Sequence, residues 1–445
     1  MIEVGTPQEA GLVGKDTQDG TGRTPTTGAR LGWLDALRGF AAVTVVFRHT
    51  GATLIPWLYR DTSGLVDTGS FGVFLFFLVS GYIVPASLER RGDLRAFWIG
   101  RYFRIYPVFI AVLVVCLLLV PEKLGVVTAG WYRNPLITGA GNGVLLSELV
   151  GVGNGLQVAW TLSYEMVFYF LVSALFVLGW QRRSMPIAVG FGVLAVVAGT
   201  TWPTRLLSSD PSSVRFVLAV TLVVLAIALA GVMAGGLAAK VGALTLGLTG
   251  LVLVLLNSGI AGFNSMTILA TMFGGTVIYR AEHRQIKRWI AVLSCGLVLT
   301  MGLMCGVIYH SSIYADTWTT PTAYCGALAA AWLLFGFGLL MRNRRIPRFL
   351  SWLGSISYAI YLVHLPLYIC LEWAWVREGI RMKGPLHQVA HASLYYGLVL
   401  VVAYAAHRLV EVPGQRLGRR VTALVDRRTA ARHGPRTIPA SETVG

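Results

Sequence analysis

Charge is scarce in this sequence. Only 13% of its 445 residues are Asp, Glu, Lys or Arg, against about a quarter in a soluble domain. Another 55% are hydrophobic, and the mean hydropathy is +0.66. A soluble globular protein is excluded. Cysteine is rarer still. Cys116, Cys295, Cys305, Cys325 and Cys370 all fall inside apolar runs and lack metal-ligand spacing. They read as small core residues, and neither a disulfide framework nor a metal site is expected. No short apolar segment of the signal-peptide kind opens the chain, because residues 1–30 are polar and rich in Gly and Thr. No internal repeat and no separate soluble domain are visible. Acidic residues number 20 against 37 Lys and Arg. The net charge of +17 would suit nucleic acid, but the basic residues sit in short gaps between apolar runs, so no nucleic-acid partner is expected.

What is there instead is a series of apolar runs, near 33–56, 69–88, 105–121, 157–180, 185–202, 214–239, 241–257, 260–279, 288–308, 322–341, 352–373 and 390–410. Most approach the ~20 residues of a membrane-spanning helix. The expectation is an all-α, polytopic transmembrane bundle of 10–12 spans in a cytoplasmic (inner) membrane, both termini cytoplasmic. With twelve spans, 26 Lys and Arg fall on the cytoplasmic side and 8 on the other, the pattern of the positive-inside rule. The runs at 214–239 and 241–257 are parted by little more than Lys240, so one long bent helix or a re-entrant pair is an alternative, and ten spans remain open. Residues 1–31 are expected to be a disordered cytoplasmic segment, 32–412 the membrane domain, and 413–445 a basic, disordered cytoplasmic tail.

Polar groups inside these runs are costly and therefore informative. Arg38 and His49, eleven residues apart, lie on one helical stripe roughly 16 Å apart along the axis. Headgroup snorkelling by Arg38 and simple packing by His49 are the alternative. Ser80, Gly81 and Tyr82 interrupt the second run, where Gly81 admits a slender ligand or a second helix. Arg101 and Arg104 share one face at a membrane edge. Paired guanidiniums there suit a phosphate-bearing ligand, or serve as membrane anchors. Glu165 lies about eight residues into its run and must be protonated or paired, with His49, Arg48 or Arg38 as candidate partners. Ser357, Tyr361 and His364 form a polar stripe at i, i+4 and i+7, and His407 and Glu411 are spaced to pair.

Five motifs occur in order: Leu34-Asp-x-Leu-Arg38-Gly with Arg38-x10-His49; Phe76-Phe-x-x-Ser80-Gly81-Tyr82; Arg101-x-x-Arg104-Ile-Tyr-Pro107; Trp160-Thr-Leu-Ser163-Tyr-Glu165-Met-x-Phe-Tyr169; and Ser357-Tyr358-x-x-Tyr361-x-x-His364-x-Pro366. Together they resemble the integral-membrane acyltransferase 3 family over about residues 31–410. The resemblance implies transfer of an acyl group, acetyl being the expected one, from cytoplasmic acyl-CoA to a hydroxyl of a sugar, polysaccharide, lipid-linked glycan or glycosylated metabolite. Acyl-CoA would be a co-substrate, with no permanently bound cofactor and no metal. The resemblance places Arg38 and His49 at the reaction centre. Chemistry then assigns His49 as base, Glu165 as its partner, and Arg101 and Arg104 as holders of CoA phosphates, with Ser80, Gly81 and Tyr82 beside the donor. Ser163, Ser357, Tyr361 and His364 are candidate substrate or oxyanion contacts. A proton-coupled transporter or exporter of a glycan or organic acid is the competing class.

Overall fold

A computed structural model describes residues 27–313, 319–379 and 384–433. Residues 1–26 and 434–445, which belong to the expected disordered termini, lie outside the described residues, as do Arg381 and Lys383 on the expected outer side. The described residues are almost wholly helical. In chain order the helices are α1 (Thr27–Leu54), α2 (Pro56–Ser63), α3 (Thr68–Arg91), α4 (Leu94–Leu119), α5 (Gly130–Arg133), α6 (Pro135–Gly143), α7 (Ser147–Val150), α8 (Trp160–Val177) and α9 (Ser184–Ala198). They continue with α10 (Pro211–Ala234), α11 (Gly236–Leu256), α12 (Gly262–Glu282), α13 (Arg288–Ile313), α14 (Pro321–Met341), α15 (Arg348–Ser355), α16 (Ser357–Arg377), α17 (Pro385–Ala406) and α18 (Val412–His433).

A long helix forms on each of the twelve expected runs. Among the described residues, nine helices are long and apolar enough to cross a membrane. The other three are α1, α9 and α12. Helix α9 has 15 residues, about 22 Å of rise against a hydrocarbon core of about 30 Å. Helix α1 carries Asp35, Arg38 and Arg48, and α12 carries Asn264, Ser265, Thr267, Thr271, Thr276, Arg280 and Glu282. Helix α12 can be polar because protein surrounds it: most of its residues are buried, and α9 and α3 pack along it. The 214–257 region is neither one bent helix nor a single run. Gly235 and Gly236, at φ +85° and +58°, reverse the chain between α10 and α11, which pack side by side.

Local signals fix several helix ends. The Asp67 side chain accepts from the Gly69 N–H to start α3, and Gly92, at φ +66°, closes it. Asp210 and Ser213 form a capping box at the start of α10, with Pro211 at its first position. The tail expectation needs correction over residues 413–433. Residues after Ala406 pass through a π-helical turn, His407–Glu411, into α18, which packs on α4. Likewise α1 begins at Thr27, inside the 1–31 stretch expected to lack structure.

Lipid gives apolar helices little reason to associate, so close backbone packing takes over that role. Helix α3 crosses α12 at two glycines. A methyl group on Gly81 would overlap the carbonyl of Met272, and one on Gly275 would overlap the carbonyl of Leu78. Thr276 Oγ1 donates to the Gly81 carbonyl at 2.8 Å across the same crossing. At one end of the bundle, ion pairs Arg280–Glu89 and Arg342–Glu282 tie α12 to α3 and to the end of α14. Gly81→Ala is therefore expected to destabilise the protein by about 1–3 kcal/mol, the usual cost of overpacking. Gly336→Ala on α14, where nothing lies within 4 Å of the new methyl, should be near neutral. Thermal unfolding of the two purified variants checks this; equal melting temperatures would contradict the crossing.

Candidate active site

Five helices bring the sequence motifs together. Helix α1 supplies Arg38 and His49, α3 supplies Ser80, α4 supplies Arg101 and Arg104, α8 supplies Thr161 and Glu165, and α16 supplies Tyr358 and Tyr361. They line three cavities in series. The first, about 570 Å³, opens between α4 and α18 and is bordered by Arg91, Asp93, Arg101, Arg104 and Arg419. The second is a narrow waist of about 80 Å³, lined by Arg38, Ser80, Arg101, Arg104, Glu165 and Tyr361. The third, about 630 Å³, is lined by Arg48, His49, Tyr59, Asp67, Trp160 and Asn264. Arg101 and Arg104 border both the first cavity and the waist, and Val73 and Tyr361 border both the waist and the third cavity.

The waist carries three guanidiniums and one carboxylate. Glu165 accepts from Ser80 Oγ at 3.3 Å and from the Tyr169 hydroxyl. The Tyr169 ring in turn lies against the Arg101 guanidinium, 5.0 Å from its centroid, with Phe97 at 5.2 Å. Arg101 is 8% exposed. Its positive charge is held in place by aromatic faces rather than by an ion pair. The excess of cations over carboxylates makes this waist receptive to an anion or a polarised carbonyl. Two tyrosines are pinned around it. Tyr358 donates to the Ile105 carbonyl at 2.9 Å, and Tyr361 donates to the Val158 carbonyl at 2.5 Å while bonding Thr161 Oγ1 at 2.8 Å.

In the third cavity, the exposed His49 lines the wall, with its ring 5.3 Å centroid to centroid from that of the buried His364. His364 Nδ1 lies 3.2 Å from the Ile360 carbonyl. That contact places the proton on Nδ1 and leaves Nε2 as an acceptor, buried and without a partner. Arg48 Nε pairs with Asp67 at 2.9 Å, and its Nη1 donates to the Tyr59 hydroxyl at 3.1 Å. Asp67 also accepts from Ser70 Oγ at 2.7 Å, so the α3 cap and the cavity wall share one carboxylate.

The expected grouping is revised at several positions. Glu165 does not pair with His49. Its partners are Ser80 and Tyr169, and the two residues line different cavities. Arg48, offered as another partner for Glu165, belongs to Asp67. Gly81 faces α12 and no ligand space. Tyr82 turns away from the waist, packing on Trp33, Tyr279 and Phe335 with its hydroxyl on Glu282. Ser357 bonds the Gly354 carbonyl at 2.8 Å and closes a local turn. Ser163 is fully buried, without a hydrogen-bond partner, and borders none of the three cavities. Only Tyr361 of the stripe at 357, 361 and 364 borders the cavities, with His364 one layer behind His49. The expected His407–Glu411 pair forms at 2.9 Å. Sequence reasoning gave no role to Thr161, Tyr169 and Tyr358, although they sit inside the quoted motifs. Asp67 went unassigned, though Asp-Thr-Gly-Ser at a helix start signals a cap. Asn264 carried no signal in the sequence.

An apolar helical bundle enclosing a polar, cationic waist between two larger cavities defines a multi-pass membrane protein. The acyltransferase domain family matches residues 31–408, and the chain belongs to that family. Nodulation protein 10 of Rhizobium leguminosarum bv. viciae is 30% identical over 189 residues, 38% of this chain and 49% of that protein. Peptidoglycan O-acetyltransferase OatA of Listeria monocytogenes serovar 1/2a is 28% identical over 204 residues, 41% of this chain and 30% of that protein. The putative membrane-bound transacylase BcsY of Komagataeibacter xylinus is 24% identical over 403 residues, 86% of this chain and 82% of that protein. The chain thus spans half or less of the first two relatives and most of the third. No solved structure matches.

The Arg48–Asp67 pair gives this site its own test. Arg48→Leu leaves Asp67, 8% exposed, with only Gly69 N–H and Ser70 Oγ as donors. The expected cost is about 1–3 kcal/mol, read as a lowered melting temperature, and Asp67→Asn with Arg48→Leu should recover part of it. A double variant no more stable than Arg48→Leu alone would contradict the pairing.

Proposed function

We propose that this protein is a membrane O-acyltransferase that moves an acyl group, acetyl in the simplest case, from acyl-CoA to a hydroxyl of a sugar, polysaccharide, lipid-linked glycan or glycosylated metabolite. The observation that carries the proposal is the run of three cavities, which gives a donor and an acceptor separate entrances to one passage. The donor enters at the end rich in arginine, which the positive-inside rule supports as the cytoplasmic one. Arg101 and Arg104 hold its phosphates. Arg38 assists at the same end. It sits eleven residues from His49, and helical side chains lean toward the N-terminus, so Arg38 reaches away from His49.

The pantetheine arm lies in the waist beside Ser80 and Glu165, and the thioester comes to the border at Tyr361. The acceptor occupies the third cavity, where Trp160 and Tyr59 offer flat faces and Asn264, Arg48 and Asp67 offer polar contacts. His49 takes the proton of the attacking hydroxyl. The oxygen adds to the thioester carbonyl, the C–S bond breaks, and the imidazolium returns the proton to the departing thiolate. Glu165 offsets part of the guanidinium charge and positions Ser80 and Tyr169. The acyltransferase name of the family and the transacylase and O-acetyltransferase names of its relatives support this reading over the transporter.

Two outcomes are expected in proteoliposomes supplied with acetyl-CoA and hydroxylated acceptors. His49→Ala should reduce acceptor-dependent release of CoA thiol by at least ~100-fold, the lower range of general-base catalysis, with unchanged protein level in the membrane. Full activity would overturn the assignment of the base. Arg104→Ala should raise the KM for acyl-CoA about tenfold, the worth of one charge-assisted hydrogen bond; an unchanged KM would return Arg104 to membrane anchoring.

A further inference from the structure

The C-terminal helix α18 lies beyond the residues shared with the family, which end at 408. It nevertheless forms one wall of the first cavity. Gln415, Gly418, Arg419, Thr422 and Asp426 border that space, opposite Arg91, Arg101 and Arg104. Positions 415, 419, 422 and 426 follow the 4, 3, 4 spacing of a single helical stripe. The stripe is aimed by the contact beside it. Methyl groups on Gly414 and Gly418 would fall 2.8 Å from Pro107 Cγ and 2.7 Å from Phe103 Cβ. Helix α18 therefore lies directly on the arginine-bearing half of α4, in one register. Upstream, Gln415 Nε2 donates to Glu411 at 3.1 Å, and Glu411 holds His407, which anchors the entry into the helix.

Several polar groups around this cavity are already committed. Gln415 is on Glu411, Thr422 Oγ1 on the Gly418 carbonyl at 3.0 Å, and Asp93 on the Arg95 N–H at 2.7 Å. Arg419 has no hydrogen bond or ion pair among the described residues. It adds a further guanidinium to the mouth of a cavity whose inner end already holds Arg101 and Arg104. Asp426, seven residues further along the helix, stands about 10 Å beyond it.

We propose that α18 completes the donor site: Arg419 binds a phosphate of the nucleotide end of acyl-CoA, while Arg101 and Arg104 hold the phosphates nearer the waist. Asp426, on the outer rim, faces the amino and hydroxyl donors of the nucleoside. A cavity of about 570 Å³ has room for a nucleotide. This inference rests on acyl-CoA being the donor.

The test is direct binding of CoA, and separately of adenosine 3′,5′-bisphosphate, to the full-length protein in nanodiscs of zwitterionic lipid. Arg419→Ala should weaken both ligands about tenfold, the loss of one charge-assisted phosphate contact, and Arg419→Lys should lose less. Arg420→Ala, one residue on and outside the stripe, should bind as the wild type does. Gly418→Leu, which lifts α18 from Phe103, should weaken CoA as Arg419→Ala does. Wild-type binding that is unchanged in Arg419→Ala would overturn the role of α18 and leave the acyl-CoA reading intact. Equal losses in Arg419→Ala and Arg420→Ala would reduce the effect to general charge and also overturn it. A loss seen only in nanodiscs of anionic lipid would make Arg419 a headgroup contact. Absence of CoA binding by the wild type would overturn the donor reading and this inference with it.

Discussion

Everything in this bundle depends on helices that meet backbone to backbone. Where Gly81 and Gly275 bring α3 onto α12, and where Gly354 of α15 meets the Asp35 carbonyl of α1, no side chain intervenes. These crossings fix the rotation of α1 and α3. Gly72 joins the two helices to each other, against the Ala41 carbonyl. Once these faces are committed, Arg38, His49 and Ser80 turn toward a shared interior rather than toward lipid. In hydrocarbon an isolated charge costs several kcal/mol. The packing is thus what makes a row of charged side chains tolerable.

The electrostatics follow from that enclosure. Glu165 is the single carboxylate bordering a waist with three guanidiniums, and two hydroxyls hold it, those of Ser80 and Tyr169. Aromatic rings share the burden of Arg101. The residual positive charge lies at the inner end of the arginine-rich cavity, where it favours an anionic ligand before any chemistry begins. His49 stands at the other side of the waist, in a cavity whose own charges, Arg48 and Asp67, cancel. A single passage thereby has a cationic half and a near-neutral half. That division supports the proposed polyanionic donor and uncharged hydroxyl acceptor.

Much of this was legible from residue spacing. Helical periodicity puts Arg38 and His49 on one stripe and Arg101 beside Arg104, and the structure keeps both relations. Apolar runs marked every long helix except α18. What spacing within one helix cannot give is the rotation of one helix against another. Glu165 was matched to His49 on chemical grounds, yet α8 turns it toward α3 and α4. Gly81 admits either a ligand or a helix, and only the position of α12 decides between them. Segment 413–433 reads as a solvated tail because it is rich in arginine, and its glycines acquire meaning only once Pro107 and Phe103 are found beneath them. Helix α12 escaped the composition rule for spans because neighbouring helices enclose its polar residues.

The central claim is that the donor threads the waist from the arginine-rich cavity and presents its acyl end to His49. A structure of the protein in a bilayer with a non-reactive thioether analogue of acetyl-CoA tests it most directly. The expected complex has phosphates against Arg101 and Arg104, the pantetheine arm between Ser80 and Glu165, and the acyl carbon beside Tyr361 and the His49 ring. An analogue whose acyl end stops in the first cavity, or which enters from the side of Asp67, would contradict it.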